Sequence, residues 1–495
     1  MRARLAADRG KGARPNPPPP RRPTAENAVG AASAANPPAR TSRPGPPPPA
    51  PPAAAQAPAP RRRYAAHPAR PPASARTQPP DLSAPATLTK LLAWRPGGYL
   101  RASGALFGWL AVRTAAQTAL FVLVARTLGA EGYGALIAVM AIATLFAPLA
   151  GLGGQSLLAR EGARNPQDLA THLGDALRLW TVSVVPLCVL AYALCRLLLP
   201  PVLAPWAVAA VVLADLVGAS LLDVFTRLSQ AQQHMSTYGA VMAGLIGTRL
   251  VAFLVLLTLV TPTPDVWAVG YGAATTVYVL LAAAWAVHTH GRPRPSPASF
   301  GTLVRTGLPF AFAASAMRVH AEANKPILTR LDSITSAGAF GAAQRVTDLV
   351  LLPVQAMVAT LAPRVYRRQT LDVRALLHLG LPCITVAIAG GVVIFITAPW
   401  LPLVLGDSYA PAADMVRLLA FLPCLTTARM LLMTLLTAQN RQRHFYRIYF
   451  PGIVIGLAVT IVLTLKLGVM GAVAGSFTTE IALISFQVST IAWRK

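Results

Sequence analysis

The stretch Arg126-Thr-Leu-Gly-Ala-Glu-Gly-Tyr-Gly134-Ala-Leu136 decides the fold, because its outline recurs 204 residues later between Arg330 and Phe340. A second pair of similar stretches, 266–276 and 469–479, lies at an offset of 203. Two repeats at nearly the same offset indicate an internally duplicated chain. Many membrane transporters are built from such repeats, with the substrate site between the two halves.

The composition excludes a water-soluble globular protein. Hydrophobic residues make up 54% of the chain, charged residues only 12%, and the mean hydropathy is +0.51. From Ser103 onward we find twelve apolar stretches, each long enough to cross a hydrocarbon core of roughly 30 Å as a helix. Their approximate limits are 103–128, 134–155, 176–199, 203–226, 238–262, 265–289, 304–330, 337–363, 376–399, 411–438, 446–466 and 468–491.

The number of spans in each half fixes the predicted arrangement. Six is even, so both halves enter the bilayer from the same side and the repeat is parallel. We therefore predict an all-α integral membrane protein. Its twelve transmembrane helices form two parallel-repeat six-helix lobes, residues 100–290 and 300–495, around a central cavity.

The first 95 residues are predicted to be a disordered, basic cytoplasmic tail. Before residue 91 they hold 23 of the 45 prolines and carry a net charge of +12. Proline, alanine and arginine leave too little apolar surface to fold. Such a tail could be held against anionic lipid headgroups. We favour a solvated extension, or an upstream stretch that is translated only because the start codon is misassigned.

Arginines in alternate connections predict the orientation of the spans. Positive residues near span ends face the cytoplasm. The residues concerned are Arg160, Arg164, Arg227, Arg292, Arg294, Arg364, Arg367, Arg368, Arg441, Arg443, Arg494 and Lys495. Both termini are therefore predicted to be cytoplasmic, in a multi-pass protein of the cytoplasmic (inner) membrane.

Thirteen ionisable residues lie inside the predicted spans. Each costs about 3 kcal/mol or more at a helix centre unless it faces protein or water, so the helices must enclose a polar interior. The cations are Arg113, Arg249, Arg318, Lys325, Arg345, Arg417 and Arg429; the anions are Asp215, Asp223, Glu322, Asp348 and Glu480; His320 completes the set. Seven cations against five anions predict a cavity that attracts anions.

Three arginines near mid-depth are the candidate substrate-binding residues: Arg113 on span 1, Arg249 on span 5 and Arg318 on span 7. A guanidinium group has a planar fork of donors that suits phosphate or carboxylate oxygens. The expected substrate therefore carries phosphate or carboxylate.

Other intramembrane charges could couple transport to protons or sodium ions, or could only form ion pairs. Helical spacing places Arg318, Glu322 and Lys325 on one face of span 7, with His320 roughly 160° away. Asp215 could pair with Arg249 or Arg113, Asp223 with Arg227, and Arg345 with Asp348 three residues on. The candidates for coupling are Asp215, His320, Glu322 and Glu480.

The sequence predicts no metal site, no cofactor and no catalytic group. The four cysteines, Cys188, Cys195, Cys383 and Cys424, all lie in apolar spans, without a zinc spacing or a disulfide framework. They are expected to be small hydrophobic residues in helix packing. No nucleic-acid partner is predicted.

The motif from Ala125 to Gly134 resembles the R-x-L-G-x-E-x-Y-G signature of polysaccharide flippases. These proteins belong to the multidrug/oligosaccharidyl-lipid/polysaccharide exporter superfamily. Four further stretches are similar to that family in the same order: Gly307 to Phe310, Gly338 to Arg345, Pro363-Arg364, and Gly406 to Tyr409. Together the similarities span about residues 100 to 490. The basic tail is not part of the family pattern.

The resemblance implies a flippase with two six-helix lobes around a V-shaped cavity. Its substrate would be an undecaprenyl-diphosphate-linked oligosaccharide, moved from the inner to the outer leaflet for export of O-antigen, capsule or exopolysaccharide. Cationic cavity residues engage the diphosphate in such proteins, and Arg113, Arg249 and Arg318 fit this role by depth. Implied partners are the lipid-linked oligosaccharide, membrane lipids, a polysaccharide polymerase and a chain-length regulator.

Three other interpretations stay open. A cation-coupled drug antiporter of the same fold would need an interior of the opposite sign. A polysaccharide polymerase would be expected to have a large external loop, whereas the predicted external connections run to roughly a dozen residues at most. A scaffold that has lost transport predicts that the span 7 charges could be neutralised without effect.

Overall fold

The computed structural model describes residues 98–366, 373–439 and 442–492, and in these residues it contains helices and no strands. The predicted disordered tail, 1–95, lies outside them, as do several of the arginines that predicted the orientation. The α-helices are α1 Gly98–Phe146, α2 Gly154–Arg164, α3 Leu169–Leu198, α4 Pro205–Leu213, α5 Ser220–Ala231, α6 Met235–Leu259, α7 Pro264–His290, α8 Phe300–Glu322, α9 Asn324–Leu331, α10 Ile334–Tyr366, α11 Val373–Thr397, α12 Leu401–Leu405, α13 Ala410–Leu419, α14 Leu422–Ala438, α15 Gln442–Leu467 and α16 Val469–Ala492.

Helix α1 is too long to be one membrane span. Its 49 residues would reach roughly 70 Å as a straight helix, more than twice the thickness of a hydrocarbon core. The helix breaks at Gly129, where φ is +67° and ψ is 179°. A φ in this region favours glycine because it has no Cβ. Predicted spans 1 and 2 therefore occupy the two arms of α1.

In the described chain, nine helices are long and apolar enough to cross a membrane, or ten if the pair Asp407–Leu419 and Leu422–Ala438, bent by 46°, counts as one span. Predicted spans 1 and 2 contribute one helix to this number, because both lie in α1. Helix α8, which holds most of predicted span 7, is not among the nine. An all-α membrane protein is confirmed, and the number twelve stays a prediction.

The hydrophobic core has separate parts in each half and a part that joins them. One cluster of buried residues runs from Leu158 to Ala286 and belongs to the first half. Two others, between Val354 and Leu483, belong to the second. The largest cluster takes residues from both halves, including Leu136 and Phe340. The hydrophobic core thus includes extensive contacts between the two halves of the sequence.

The two ends of the helical bundle differ, and we call them the motif end and the linker end. The motif end carries the connection after Gly129 and its repeat near residue 333. The linker end carries residues 291–299, which join the halves and lie on α3. There Ser296 N–H donates to Asp175 Oδ1 (2.8 Å) and Arg294 N–H donates to the carbonyl of Ala170 (3.1 Å). The linker is therefore held by the first half.

Candidate substrate-binding cavity

A central cavity of about 770 Å³ lies between the two halves. Its lining extends from Tyr133 at the motif end to Tyr238 and Phe310 at the linker end. All three arginines that the sequence selected, Arg113, Arg249 and Arg318, line this cavity. The predicted cationic residues of both halves therefore face one space.

Two of these guanidinium groups have no carboxylate partner in the part of the chain that the structure describes. Arg113 on α1 is half-buried and Arg318 on α8 is exposed to the cavity, and neither forms an ion pair with a described residue. Arg113 also lies close enough to Arg318 and Arg345 for their charges to repel. Like charges held together in this way favour the binding of an anion, and we call this part of the cavity the candidate anion site.

The charged face of span 7 is confirmed. Its ion pair joins Glu322 to Lys325 and not to Arg318. Arg318, Glu322 and Lys325 all line the central cavity. Lys325 Nζ donates to Glu322 Oε2, and Lys325 is buried. Glu322 therefore has Lys325, and not Arg318, as its ion-pair partner in contact.

Arg249, in contrast, forms an ion pair, a hydrogen bond and a contact with an aromatic ring. Its Nη2 lies 3.5 Å from Asp215 Oδ1, and its Nε donates to Thr275 Oγ1 at 2.9 Å. Its guanidinium carbon lies 3.8 Å from the ring centroid of Tyr271, whose hydroxyl donates to Asp215 Oδ1 at 2.6 Å. The sequence allowed Asp215 to pair with Arg249 or with Arg113, and in the structure it pairs with Arg249. Asp215 reaches it from a π-helical segment, Ala214–Ala219, a distortion that often marks functional sites.

Arg345 and Asp348, which could pair at a spacing of three residues, attract each other electrostatically but are not in contact. They form no ion pair within the described chain. Arg345 lines the central cavity, where its guanidinium interacts with the Tyr133 hydroxyl, whereas Asp348 lines two other cavities. Spacing of three residues permits a pair, but Tyr133 of the other half offers Arg345 a partner. The sequence placed Arg345 among the interior cations but not among the substrate-binding candidates, and its place in the central cavity adds it to them.

A second polar cavity, of about 330 Å³, lies within the second half. His320 and Glu480, two candidates for coupling, line it together with Arg429. Glu480 is buried and accepts from Arg429 Nε at 2.6 Å and from Thr426 Oγ1 at 2.9 Å; His320 Nε2 lies 3.3 Å from it. The predicted 160° separation of His320 from Arg318 thus corresponds to two cavities on opposite faces of α8.

A third, mainly apolar groove of about 290 Å³ opens between α1, α10 and α12. Phe121, Leu349 and Leu352 are among its lining residues. Two polar residues, Gln117 and Arg345, line both this groove and the central cavity. An apolar path therefore reaches the anion site from the side of the bundle.

The four cysteines are free, and no group of three His, Cys, Asp or Glu side chains among the described residues could hold a metal ion. The ion pair predicted between Asp223 and Arg227 is present, at 3.1 Å.

A helical membrane bundle whose two halves enclose a charged cavity is the architecture of a membrane transporter. The chain belongs to the polysaccharide biosynthesis protein family, whose sequence model matches residues 110–369, more than half of its length. The family resemblance given by the sequence motifs is thereby confirmed. No curated protein sequence matches the chain.

Solved structures of transporters share the fold. One is an inward-facing multidrug resistance MATE family transporter of the MOP superfamily, with a TM-score of 0.60 and 17% identity over 77% of this chain and 94% of that one. Another is the lipid II flippase MurJ in an inward closed conformation, with a TM-score of 0.59 and 12% identity over 79% and 87%. A third is a MOP superfamily transporter from Pyrococcus furiosus, with a TM-score of 0.55 and 16% identity over 79% and 93%. At these identities the similarity shows the fold alone.

Proposed function

We propose that this membrane transporter is a flippase for an undecaprenyl-diphosphate-linked oligosaccharide, which it moves from the inner to the outer leaflet of the cytoplasmic membrane during polysaccharide export. The observation that carries the proposal is the meeting of two surfaces at Gln117 and Arg345, a cationic cavity on one side and an apolar groove on the other. A lipid-linked diphosphate has these two chemical parts joined together.

The headgroup belongs in the central cavity. Arg113 and Arg318 come from different halves and lack carboxylate partners among the described residues, so a diphosphate placed between them would relieve their repulsion. Arg249 already has Asp215 as its ion-pair partner, and in this proposal it holds the cavity wall in place. The volume of about 770 Å³ leaves room for sugars beside the phosphates.

The lipid tail belongs in the apolar groove. Phe121, Leu349 and Leu352 offer it contacts like those of lipid, and Gln117 and Arg345 stand where tail and headgroup join. The tail therefore stays at the edge of the bundle while the headgroup crosses. The linker end is proposed to face the cytoplasm, since Arg160, Arg227 and Arg294 lie there.

The positive charge of the central cavity also separates the proposed flippase from the drug antiporter. A transporter of lipophilic cations gains nothing from two unpaired arginines, so the drug antiporter is the weaker candidate. The sequence resemblance, not the geometry, selects the glycan carrier over other phosphorylated lipids.

Coupling to protons is proposed to use His320 and Glu480. Histidine is the side chain whose ordinary titration falls roughly between pH 5 and 8. Protonated His320 gains a charge interaction with Glu480, beside Arg429 of α14 and with Asp348 of α10 lining the same cavity. Inward proton movement would drive export, so transport should rise as the external pH falls.

His320→Gln tests this coupling. We expect transport by the wild-type protein to rise as the external pH falls, and His320→Gln to transport at one rate throughout. His172→Gln, which alters a histidine outside the second cavity, is the control and should keep the slope. A His320→Gln protein with the wild-type pH profile would exclude His320 from coupling.

The experiment for the proposed function is deletion of the gene in the cell that makes the glycan, followed by extraction of lipid-linked intermediates from each leaflet. We expect the intermediates to accumulate in the cytoplasmic leaflet and to disperse when the wild-type gene is restored. Unchanged leaflet distribution in the deletion strain would contradict the proposal. Greater sensitivity to cationic drugs, with normal polysaccharide, would favour the antiporter.

A further inference from the structure

The repeated motifs of the two halves contact each other at the motif end. Gly134 packs on the backbone of Ile334, and Gly338 packs on the backbone of Ala130. A Cβ at either glycine would overlap the carbonyl oxygen of the facing residue. Ala130 and Ile334 are equivalent positions of the repeat, as are Gly134 and Gly338. The contact therefore has the reciprocal form of a two-fold interface, and only glycine lets the backbones approach so closely.

Hydrogen bonds join the same motif to the end of α12 and to the connection that follows it, which holds the Gly406 to Tyr409 stretch. Each bond links the first half to the second. They run from Arg126 Nη1 to the Val404 carbonyl (3.4 Å), from Ala130 N–H to Ser408 Oγ (3.3 Å), and from the Tyr409 hydroxyl to the Gly129 carbonyl (3.1 Å). The motif end is thus closed by backbone contact and by hydrogen bonds between the halves.

Tyr133 connects this contact to the anion site. It precedes Gly134, it is 6% exposed, and its ring packs on Phe121 with a centroid distance of 5.5 Å. Its hydroxyl interacts with the guanidinium of Arg345, which belongs to the other half. Both residues line the central cavity. The interaction therefore joins the two halves beside the Gly134–Gly338 contact.

We propose that these contacts form a latch: the Gly134–Gly338 contact and its three accompanying hydrogen bonds hold the motif end closed, and Tyr133 positions Arg345 while it is closed. A phosphate group that binds Arg345 competes with the Tyr133 hydroxyl and so weakens the latch. Opening of the cavity toward the motif end then follows occupation of the anion site. The sensitivity to phosphate rests on the proposed function, whereas the latch does not.

Cysteine labelling tests the latch without any substrate. Ala337 is fully buried at the contact, so an Ala337→Cys reporter, made after the four native cysteines are replaced, should react slowly with a membrane-impermeant maleimide added from the motif-end side. Gly134→Ala and Gly338→Ala introduce an overlap, and we expect labelling about tenfold faster. Gly247→Ala, where a Cβ meets nothing within 4 Å, should label like the parent.

Milder variants keep the test decisive if the glycine variants fail to fold. Ser408→Ala and Tyr409→Phe each remove one hydrogen bond of the latch, and we expect labelling about twofold to fivefold faster. Labelling at the parent rate in every folded latch variant would overturn the latch.

Tyr133→Phe tests the positioning role, because it removes the hydroxyl and keeps the ring against Phe121. Undecaprenyl diphosphate is the probe. We expect it to speed reporter labelling about threefold in the parent and to leave the rate unchanged in Tyr133→Phe. An equal acceleration of labelling in both proteins would overturn the positioning role. If the glycine variants label faster while the probe affects neither protein, the latch stands and the proposed substrate fails.

Discussion

Replacing Arg113 or Arg318 with glutamine is expected to lower kcat/KM for the lipid-linked glycan by about tenfold to a hundredfold. Each variant loses a charge-assisted hydrogen bond to phosphate, which contributes about 1.5–3 kcal/mol. Loss of both arginines should abolish measurable transport. The measurement is flipping by purified protein in proteoliposomes, normalised to the amount inserted.

Stability separates this effect from a damaged fold. Removing Arg113 relieves its repulsion with Arg318 and Arg345, so we expect Arg113→Gln to have an unchanged or higher Tm than the wild-type protein. Arg417→Gln is the matched control, since Arg417 forms an exposed ion pair with Asp414 at 3.5 Å and should transport normally. Wild-type kcat/KM in both Arg113→Gln and Arg318→Gln would remove the anion site from the proposed function.

Asp215→Asn is expected to cause the largest loss of stability in the first half. It leaves the buried Arg249 without its carboxylate, and breaking a buried ion pair in this way costs about 3–5 kcal/mol. We therefore expect little folded protein in membranes and a Tm lower by several degrees. Thermal unfolding of detergent-purified protein, read beside membrane abundance, measures the effect.

The double variant Asp215→Asn/Arg249→Gln should recover much of that stability, because neutral amides can bond to Tyr271 and Thr275 without a buried charge. Asp223→Asn is the control: its pair with Arg227 is partly exposed, so its loss should cost less than about 1 kcal/mol. Equal Tm values for Asp215→Asn and Asp223→Asn would contradict the structural role of the Asp215–Arg249 pair.

Helical periodicity and the demands of the bilayer made much of the fold predictable. A span needs about twenty apolar residues, so helices follow directly from hydropathy. The angle of about 100° between successive residues placed Arg318, Glu322 and Lys325 on one face and His320 on another, as the structure confirms. Local spacing also predicted the pair Asp223–Arg227.

Contacts between the halves could not be predicted in the same way. The partner of Arg345 is Tyr133, 212 residues earlier in the chain, and no local spacing indicates it. The contact of the motif glycines across the halves likewise has no signature in local spacing. The break at Gly129, in contrast, lies where the sequence separates predicted spans 1 and 2.

Flipping of a defined substrate by the purified protein tests the central proposal most directly. Undecaprenyl-diphosphate oligosaccharide is placed in both leaflets of proteoliposomes, and an impermeant enzyme that cleaves the sugars is added outside. We expect nearly all of the glycan to become cleavable with the wild-type protein, and only the outer-leaflet half with the Arg113→Gln/Arg318→Gln protein or with empty liposomes. Cleavage that stops at the outer-leaflet half in the wild-type sample, with the protein folded and inserted, would contradict the proposed function.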